Sequence, residues 1–359
     1  LQVGATLRLS GVRQPAGVSR DGLGAWLLKG LRVYRQGPAA MVAVAAAGTF
    51  QDAQLDDHNG LYRCATDQFG LSKVDTLPAA SEPTLLFIHG TASSTEGSFK
   101  DLWAIDKYRE QLVAAYGQRI YAFEHRSLTE SPVSNALDLV KTLPKGARLH
   151  LVSHSRGGMV GELLARANRK SLEPFTAGEI ERFLKHAERL DRQGFEDDAK
   201  RLAELSKELV KRGIQVERFV RVACPARGTT LASGRLDRWA SVMLNLLGKG
   251  FDASGKVIPG MIPVAKGYHL LKRFLLAVVK ERTDARILPG LEAMMPDSPL
   301  VGLLNNPDAE VEPPVHVLAG DFDGEGLLPW LGDCVSEVFY GGETDLVVNT
   351  PSMTGRSEE

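Results

Sequence analysis

A serine flanked by small residues is the feature of this sequence with the most direct chemical meaning. The run SHSRG (153–157) follows an apolar stretch at 148–152, and Gly158 leads into apolar residues at helical spacing. Small residues two positions before and after a serine are typical of a strained strand-to-helix turn, which presents the hydroxyl as a nucleophile. We therefore predict that Ser155 is a catalytic nucleophile and that the turn requires Gly157 and Gly158.

Chemistry at such a serine also needs backbone N–H groups that stabilise an oxyanion. One is expected from the residue after the nucleophile, Arg156, at the positive end of the following helix. The other normally comes from the loop after an earlier strand, and the apolar run at 85–88 ends in His89, Gly90 and Thr91. The N–H groups of Arg156 and Thr91 are thus the predicted oxyanion donors. His89 is predicted to be a structural polar residue under the loop rather than a base.

A scaffold must position these residues, and from residue 83 onward short apolar or β-branched runs alternate with helical stretches. That alternation is typical of an α/β fold, with a mostly parallel sheet and crossover helices. The carboxyl ends of such strands meet at one edge, where ligands bind. The predicted strands are 84–88, 119–123, 148–152, 217–223 and 315–320.

The segments outside this alternation divide the chain. Residues 1–80 predict a small, partly β accessory region before a main domain over 81–359. Two insertions interrupt the main domain. The charged insertion at 168–215 predicts a helical hairpin, interpreted as a solvated excursion rather than a partner-binding arm. The second, 229–305, carries amphipathic runs placed to cap the active face.

The composition limits the partners. Lys plus Arg (43) nearly balances Asp plus Glu (44), and no basic face with interleaved aromatic residues occurs, so no nucleic acid is expected. Cys64, Cys224 and Cys334 show no C-x-x-C spacing, which argues against disulfides and zinc and favours a reducing, cytoplasmic compartment. No apolar stretch is long enough to span a bilayer. Nucleotide and metalloprotease motifs are absent from the sequence, so no cofactor is expected.

Four stretches together resemble lipase-like and esterase-like α/β-hydrolases. They are FIHGTASST (87–95), LVSHSRGGMVGELLAR (151–166), VACPARGTTLAS (222–233), which is similar to the A-T-P-x-R-G-[ST] loop of many lipases, and LEAMMPDSPLVGLLN (291–305), which is similar to their L-x-P-x-S-x-x-x-x-L-N segment. More narrowly, three other stretches resemble bacterial hydrolase domains found beside CHAT-type caspase-like protease domains. These are EHRSLTESPVSNALDLV (124–140), CPARGTTLASGRLDRW (224–239) and DLVVNTPSM (345–353).

The resemblance implies a triad in the chain order serine, acid, histidine. Asp345 lies in GGETDLVVNTPSM (341–353), a context similar to the loop in which bacterial lipases carry their acid. It is preferred over Asp321 and Asp323, which follow the last predicted strand.

The catalytic base is the difficulty. All eight histidines precede Asp345, whereas the resembling enzymes carry the base in a loop after one further strand. The base is therefore expected beyond Glu359 in a longer chain, which the start at Leu1 favours, or it is absent from an inactive domain. Inside the chain, His125 after a strand and His269 in the capping insertion are the alternatives.

These observations predict a bacterial serine hydrolase that cleaves an ester, less readily an amide, through an acyl-enzyme on Ser155. The apolar part of the second insertion, 243–279, is interpreted as packing on its own core. The alternative is that it shelters an acyl chain, which makes lipids candidates among the small acyl or ester substrates. The alternative is a catalytically inactive binding or scaffold domain linked to an effector domain in a larger protein, because a fold alone does not establish activity.

Overall fold

The computed structural model describes residue 48 and residues 59–91, 93–169, 173–228, 285–286, 288–306 and 315–318. The strands in these ranges are β1 (Gly60–Cys64), β2 (Leu71–Val74), β3 (Thr84–Ile88), β4 (Ile120–Glu124), β5 (Arg148–His154), β6 (Gln215–Val222) and β7 (Val315–Leu318). They form one sheet in the order β2-β1-β4-β3-β5-β6-β7. Strands β3 to β7 are parallel, and β1 is antiparallel to both β2 and β4.

The five predicted strands are confirmed, with ends shifted by at most two residues where the structure describes them. Residues 319–320 of the last predicted strand lie outside the described ranges. Because β3 to β7 are parallel, their carboxyl ends meet at one edge of the sheet. That edge carries His89, His125, Ser155 and Ala223 immediately after four of the strands.

The helices in the described ranges are α1 (Thr95–Ala104), α2 (Asp106–Tyr116), α3 (Pro132–Thr142), α4 (Gly157–Ala165), α5 (Ala177–Arg189), α6 (Glu196–Arg212), α7 (Pro289–Glu292) and α8 (Pro299–Leu304), and a 3-10 turn at Arg166–Asn168 extends α4. Local sequence explains several of their ends. The Ser94 hydroxyl caps α1 by accepting the Gly97 N–H at 3.1 Å. Ser131 caps α3, with Pro132 at its first position. Gly213 ends α6 in the left-handed conformation.

Each face of the sheet carries a hydrophobic core. Every side chain of β3 is buried, as expected for a central parallel strand covered on both sides. Phe87 packs on one face with Phe99 and Trp103 of α1. Leu86 and Ile88 face the other way, into a larger cluster with side chains of α3, α4, α5 and α6. Helices therefore cover both faces, and the predicted α/β fold class is confirmed.

The charged insertion forms the helical hairpin α5–α6, but it is not a solvated excursion. Phe183, Leu202 and Leu205 are at most 2% exposed and belong to the larger core. The Glu179 carboxylate of α5 also accepts a buried hydrogen bond from Arg166 at 3.3 Å. Most of the alternating charge lies on the outer faces of the two helices, although Glu179 and Asp198 are buried. The interpretation was therefore wrong for the inner faces.

The predicted boundary at residue 80 does not separate an accessory region from the sheet. Strands β1 and β2 form its antiparallel edge, because β1 pairs with β4 from Gly60 to Arg63. Leu61 and Cys64 are buried, each in the core of a different face. Apart from residue 48, residues 1–58 lie outside the described part of the chain.

Most of the second insertion, 229–284, lies outside the described residues, and so does its predicted capping role. Its end, 288–306, contains α7 and α8, whose Leu291, Leu300 and Leu303 enter the larger core. Across the described ranges, none of the helices has both the length and the apolar character that a membrane span needs.

Candidate active site

Ser155 lies at the turn between β5 and α4 in a strained conformation. Its φ is 51°, in the left-handed region that non-glycine residues rarely adopt. The Ser155 N–H donates to the Val222 carbonyl at 2.8 Å, and the Ser155 carbonyl accepts the Gly158 N–H at 2.9 Å. The turn is therefore held by β6 on one side and by the start of α4 on the other.

The glycines after Ser155 are required by close packing. A Cβ on Gly157 would lie 2.5 Å from the carbonyl oxygens of Ile88 and His89. A Cβ on Gly158 would lie 2.2 Å from the Cys224 Sγ. Both distances are far below van der Waals contact, so only glycine lets α4 begin against the ends of β3 and β6.

The loop after β3 lies directly against the candidate nucleophile. A Cβ on Gly90 would be 2.7 Å from the Ser155 Cβ, so Gly90 allows the loop to approach. Thr91 follows, and its hydroxyl donates to the Met294 Sδ at 3.1 Å. Within the described ranges, no acceptor takes the backbone N–H of Thr91 or of Arg156. The structure thus brings the loop of Thr91 to Ser155 and Arg156, from a distant part of the sequence.

His89 is fully buried beneath this loop. Its Nε2 accepts the His125 N–H at 3.1 Å and its Nδ1 lies 3.0 Å from the Gly90 carbonyl, so a neutral ring protonated at Nδ1 satisfies both contacts. Burial lowers the pKa of His89 to about 4, although the hydrogen bond to Gly90 opposes the shift. The His125 ring stacks on it at 4.0 Å between centroids. This arrangement engages both ring nitrogens of His89, and its lowered pKa keeps the ring neutral near pH 7.

No histidine of the described ranges hydrogen-bonds to the Ser155 hydroxyl. The His154 Nδ1 lies 3.4 Å from the Ser98 hydroxyl of α1, on another side of the turn. His150 lies within β5, and its Nδ1 is 2.7 Å from the hydroxyl of Tyr116, at the end of α2. The remaining candidates for acid and base, Asp345, Asp321, Asp323 and His269, lie outside the described residues. The described ranges contain no group of three or more His, Cys, Asp or Glu residues that could hold a metal.

The Arg156 side chain is a part of the site that sequence reasoning missed. It is fully buried. Its Nη2 donates to the Glu130 carbonyl at 2.5 Å and to the Asn135 Oδ1 at 2.9 Å, and its Nε donates to the Gly290 carbonyl at 3.3 Å. Nothing in the local sequence indicates this burial, because an arginine at the start of a helix normally faces solvent.

The lipase-like stretches that are distant in sequence meet at this edge of the sheet. A Cβ on Gly228 would lie 2.4 Å from the Pro296 Cα, and the Asn305 side chain donates to the Ala226 carbonyl at 2.6 Å. The segment 288–306 thus packs on the loop after β6. It also contacts the loop after β3, where Met294 accepts the hydrogen bond from Thr91.

A mostly parallel sheet covered by helices on both faces, with a left-handed serine at the turn after a central strand, defines an α/β-hydrolase-like fold. The chain belongs to the family described as a domain of unknown function, DUF7379, whose model matches residues 55–184 and 199–359. No curated protein sequence matches the chain.

Solved structures similar to this chain include two lipases and the protein EstA. Lipase 1 from Pelosinus fermentans is 16% identical, with a TM-score of 0.42 over 76% of this chain and 84% of that one. Staphylococcus hyicus lipase is 14% identical, with a TM-score of 0.36 over 78% and 82%. EstA from Clostridium botulinum is 14% identical, with a TM-score of 0.40 over 78% and 76%.

Proposed function

We propose that this protein is a lipase-like or esterase-like serine hydrolase that cleaves a carboxylic ester through an acyl-enzyme on Ser155. The observation that carries the proposal is the left-handed backbone of Ser155, with φ 51°, between β5 and α4. Strain of this kind persists at a buried non-glycine residue only when the surrounding structure holds it, and it clusters at active sites. The loop after β3, from which the second oxyanion donor is expected, also lies close to Ser155: a Cβ on Gly90 would be 2.7 Å from the Ser155 Cβ.

In the proposed reaction, the Ser155 Oγ attacks the ester carbonyl and gives its proton to a histidine base. The carbonyl oxygen becomes an oxyanion that accepts hydrogen bonds from the N–H groups of Arg156 and Thr91. Each such donor contributes about 10²–10³-fold in kcat. The intermediate expels the alcohol, which takes the proton, and water then hydrolyses the acyl-enzyme by the same steps.

The acid and base are assigned on sequence resemblance. In this proposal Asp345 orients the base, a histidine that the resemblance places after the acid in chain order. The engaged nitrogens of His89 are consistent with a base that comes from elsewhere. Losing such a base removes about 10⁴-fold or more of activity, so a chain that lacks it would be nearly inert.

The class of ester is inferred from the methionine side chains beside the loop of Thr91. Met294, 4% exposed, contacts the Thr91 hydroxyl, and Met295 follows it. Flexible thioether side chains adapt to apolar groups, which favours an ester with an apolar acyl group, lipids included. The resemblance to domains found beside CHAT-type proteases adds the proposal that an effector domain is linked to this one.

A fluorophosphonate probe tests the proposal, because an activated serine attacks its phosphorus, expels fluoride and becomes phosphonylated. The full-length protein should be labelled, Ser155→Ala should not, and Ser98→Ala should keep its labelling as a matched control from the neighbouring helix. Hydrolysis of p-nitrophenyl esters of increasing chain length would then rank acyl groups. Absence of labelling in a folded full-length protein that carries the downstream histidine would refute the hydrolase and favour the scaffold alternative.

A further inference from the structure

Three arginine side chains are among the largest fully buried residues of the described ranges, and one of them differs from the others. Arg166 pairs with the Glu179 carboxylate at 3.3 Å, and Arg221 pairs with the Glu162 carboxylate at 2.6 Å. Arg156 forms no ion pair with any residue in the described part of the chain. Its three hydrogen-bond acceptors are the carbonyl oxygens of two backbone groups and one side-chain amide, all neutral.

Such an arrangement is unfavourable for stability by itself. A buried charge without a partner of opposite charge costs several kcal/mol, even when its hydrogen bonds are made. Burial lowers the pKa of Arg156 to about 9, while Glu130 and Asp198 attract the charge only from beyond ion-pair distance. Arg156 therefore remains a cation at neutral pH. The Arg156 Nη1 also has no hydrogen-bond partner among the described residues.

The cation is rigidly anchored to two other segments of the site. The Oδ1 of Asn135, on α3, accepts a hydrogen bond from Arg156, and the Asn135 Nδ2 donates to the Glu130 carboxylate at 2.8 Å. Gly290, on α7, offers its carbonyl from a position where a Cβ would lie 2.0 Å from the Ser127 carbonyl oxygen. Neither acceptor can move without disturbing the packing around it. The anchor therefore also fixes the first residue after the nucleophile, whose N–H is a proposed oxyanion donor.

The charge acts on the neighbouring loop as well. It lowers the pKa of His89 and of His125, in both cases after the larger effect of burial. His89 immediately precedes Gly90, which touches Ser155. The field of the Arg156 cation therefore reaches the loops that follow β3 and β4.

We propose that the Arg156 side chain is a positioning residue of the active site: an unpaired buried cation that favours negative charge at the oxyanion position and aligns the Arg156 N–H toward it. This inference rests on the proposed hydrolase function. In the resting protein, the Glu130 and Asp198 carboxylates attract the charge only from beyond ion-pair distance, and formation of the tetrahedral intermediate would add an anion at the oxyanion position. Interactions stronger in the transition state than in the ground state are the ones that accelerate a reaction.

The experiment compares fluorophosphonate labelling rates, and ester hydrolysis where measurable, of the full-length protein and three variants. Arg156→Met removes the charge and keeps the length, Arg156→Gln keeps one donor group, and Arg156→Lys keeps the charge. We expect Met and Gln to lower the labelling rate and kcat about 10–100-fold with KM changed less than about threefold. Lysine should stay within about tenfold of the natural protein. The double variant Arg221→Met with Glu162→Gln removes a paired buried arginine and should leave the rate within about threefold.

Histidine NMR titration supplies a readout that a purely structural role would not move. Removal of the charge in Arg156→Met should raise the pKa of His89 from about 4, whereas the Arg221 control should leave it unchanged. A rate equal to that of the natural protein in folded Arg156→Met, or an unmoved His89, would overturn the inference while labelling at Ser155 still supports the hydrolase. Should both neutral variants fail to fold, a folded Arg156→Lys that labels more than about a hundredfold slower overturns it, because lysine retains the charge. Absence of Ser155 labelling in the natural protein is the separate result that refutes the proposed function.

Discussion

A methyl group added at Gly161 of α4 tests how closely this helix, which follows Ser155, packs against β6 of the sheet. In Gly161→Ala, the new Cβ would lie 2.3 Å from Cζ and 2.6 Å from Cε2 of the Phe219 ring. Carbon atoms in contact are separated by about 3.5–4.0 Å, so α4 and β6 must move apart by more than about 1 Å. Phe219 is 0% exposed, so its ring cannot turn out into solvent.

Two effects of opposite sign set the magnitude. Overpacking of a core costs about 1–3 kcal/mol. Replacing glycine by alanine inside a helix contributes about 0.8–1.0 kcal/mol in favour of folding. The net expectation is a loss of about 1 kcal/mol, and at most about 2 kcal/mol. Gly178 of α5 is the matched control, because a Cβ there meets nothing within 4 Å, and Gly178→Ala should therefore be neutral or stabilising by up to about 1 kcal/mol.

Urea denaturation followed by far-UV circular dichroism measures the free energy of unfolding of both variants. Phe219→Leu in the Gly161→Ala background should relieve the clash, which would appear as a coupling free energy of about 1 kcal/mol in a double-mutant cycle. The packing argument would be refuted if Gly161→Ala were as stable as Gly178→Ala, or if the cycle showed no coupling.

Further perturbations address the site and the titrating groups. Gly90→Ala, whose methyl would lie 2.7 Å from the Ser155 Cβ, should slow fluorophosphonate labelling at least about tenfold and lower the unfolding free energy by about 1–3 kcal/mol; unchanged labelling would contradict the close approach. Burial raises the pKa of Glu292 from 4.5 to about 7, so between these pH values the folded state holds a proton that the unfolded chain releases. The contribution of Glu292 to stability therefore falls as pH rises from 4.5 to about 7. Glu292→Gln should flatten that decline in urea titrations at several pH values, and an unaltered slope would count against it. The pKa of Glu179 is shifted the other way: burial raises it, but hydrogen bonds from a backbone N–H and an arginine lower it to about 2. Its contribution to stability is therefore lost as pH falls from 4.5 to about 2, and Glu179→Gln should remove that loss. Gly213→Ala, at the left-handed end of α6, should cost about 1 kcal/mol of unfolding free energy, and a neutral result would mean that the helix end rearranges.

Local patterns in the sequence were sufficient for the strands and for the position of the candidate nucleophile. The run at 84–88 is apolar throughout because β3 is covered on both faces, and that pattern is visible without a structure. Ser155 and Gly157 were found from spacing alone, since the sharp turn constrains residues adjacent in the chain. The resemblance to lipases likewise depends on short contiguous stretches.

Contacts between distant segments were decided only by the tertiary structure. The sequence could place Thr91 after a strand, but the approach of Gly90 to Ser155 depends on β3 and β5 being neighbours in the sheet. The inner face of the α5–α6 hairpin was misjudged for a similar reason: alternating charge describes one side of a helix and says nothing of what covers the other. Likewise, β1 and β2 read as an accessory segment because pairing with β4 leaves no local signal.

Arg156 shows this division most clearly. The residue type at the start of a helix predicts exposure to solvent. Only the meeting of α4 with α7, α3 and the loop before α3 buries the side chain and supplies three neutral oxygens. Sequence determined which backbone could bend at Ser155, because bending is a property of adjacent residues. Tertiary structure determined the electrostatic surroundings of that bend, because burial and charge pairing depend on segments that the chain order does not bring together.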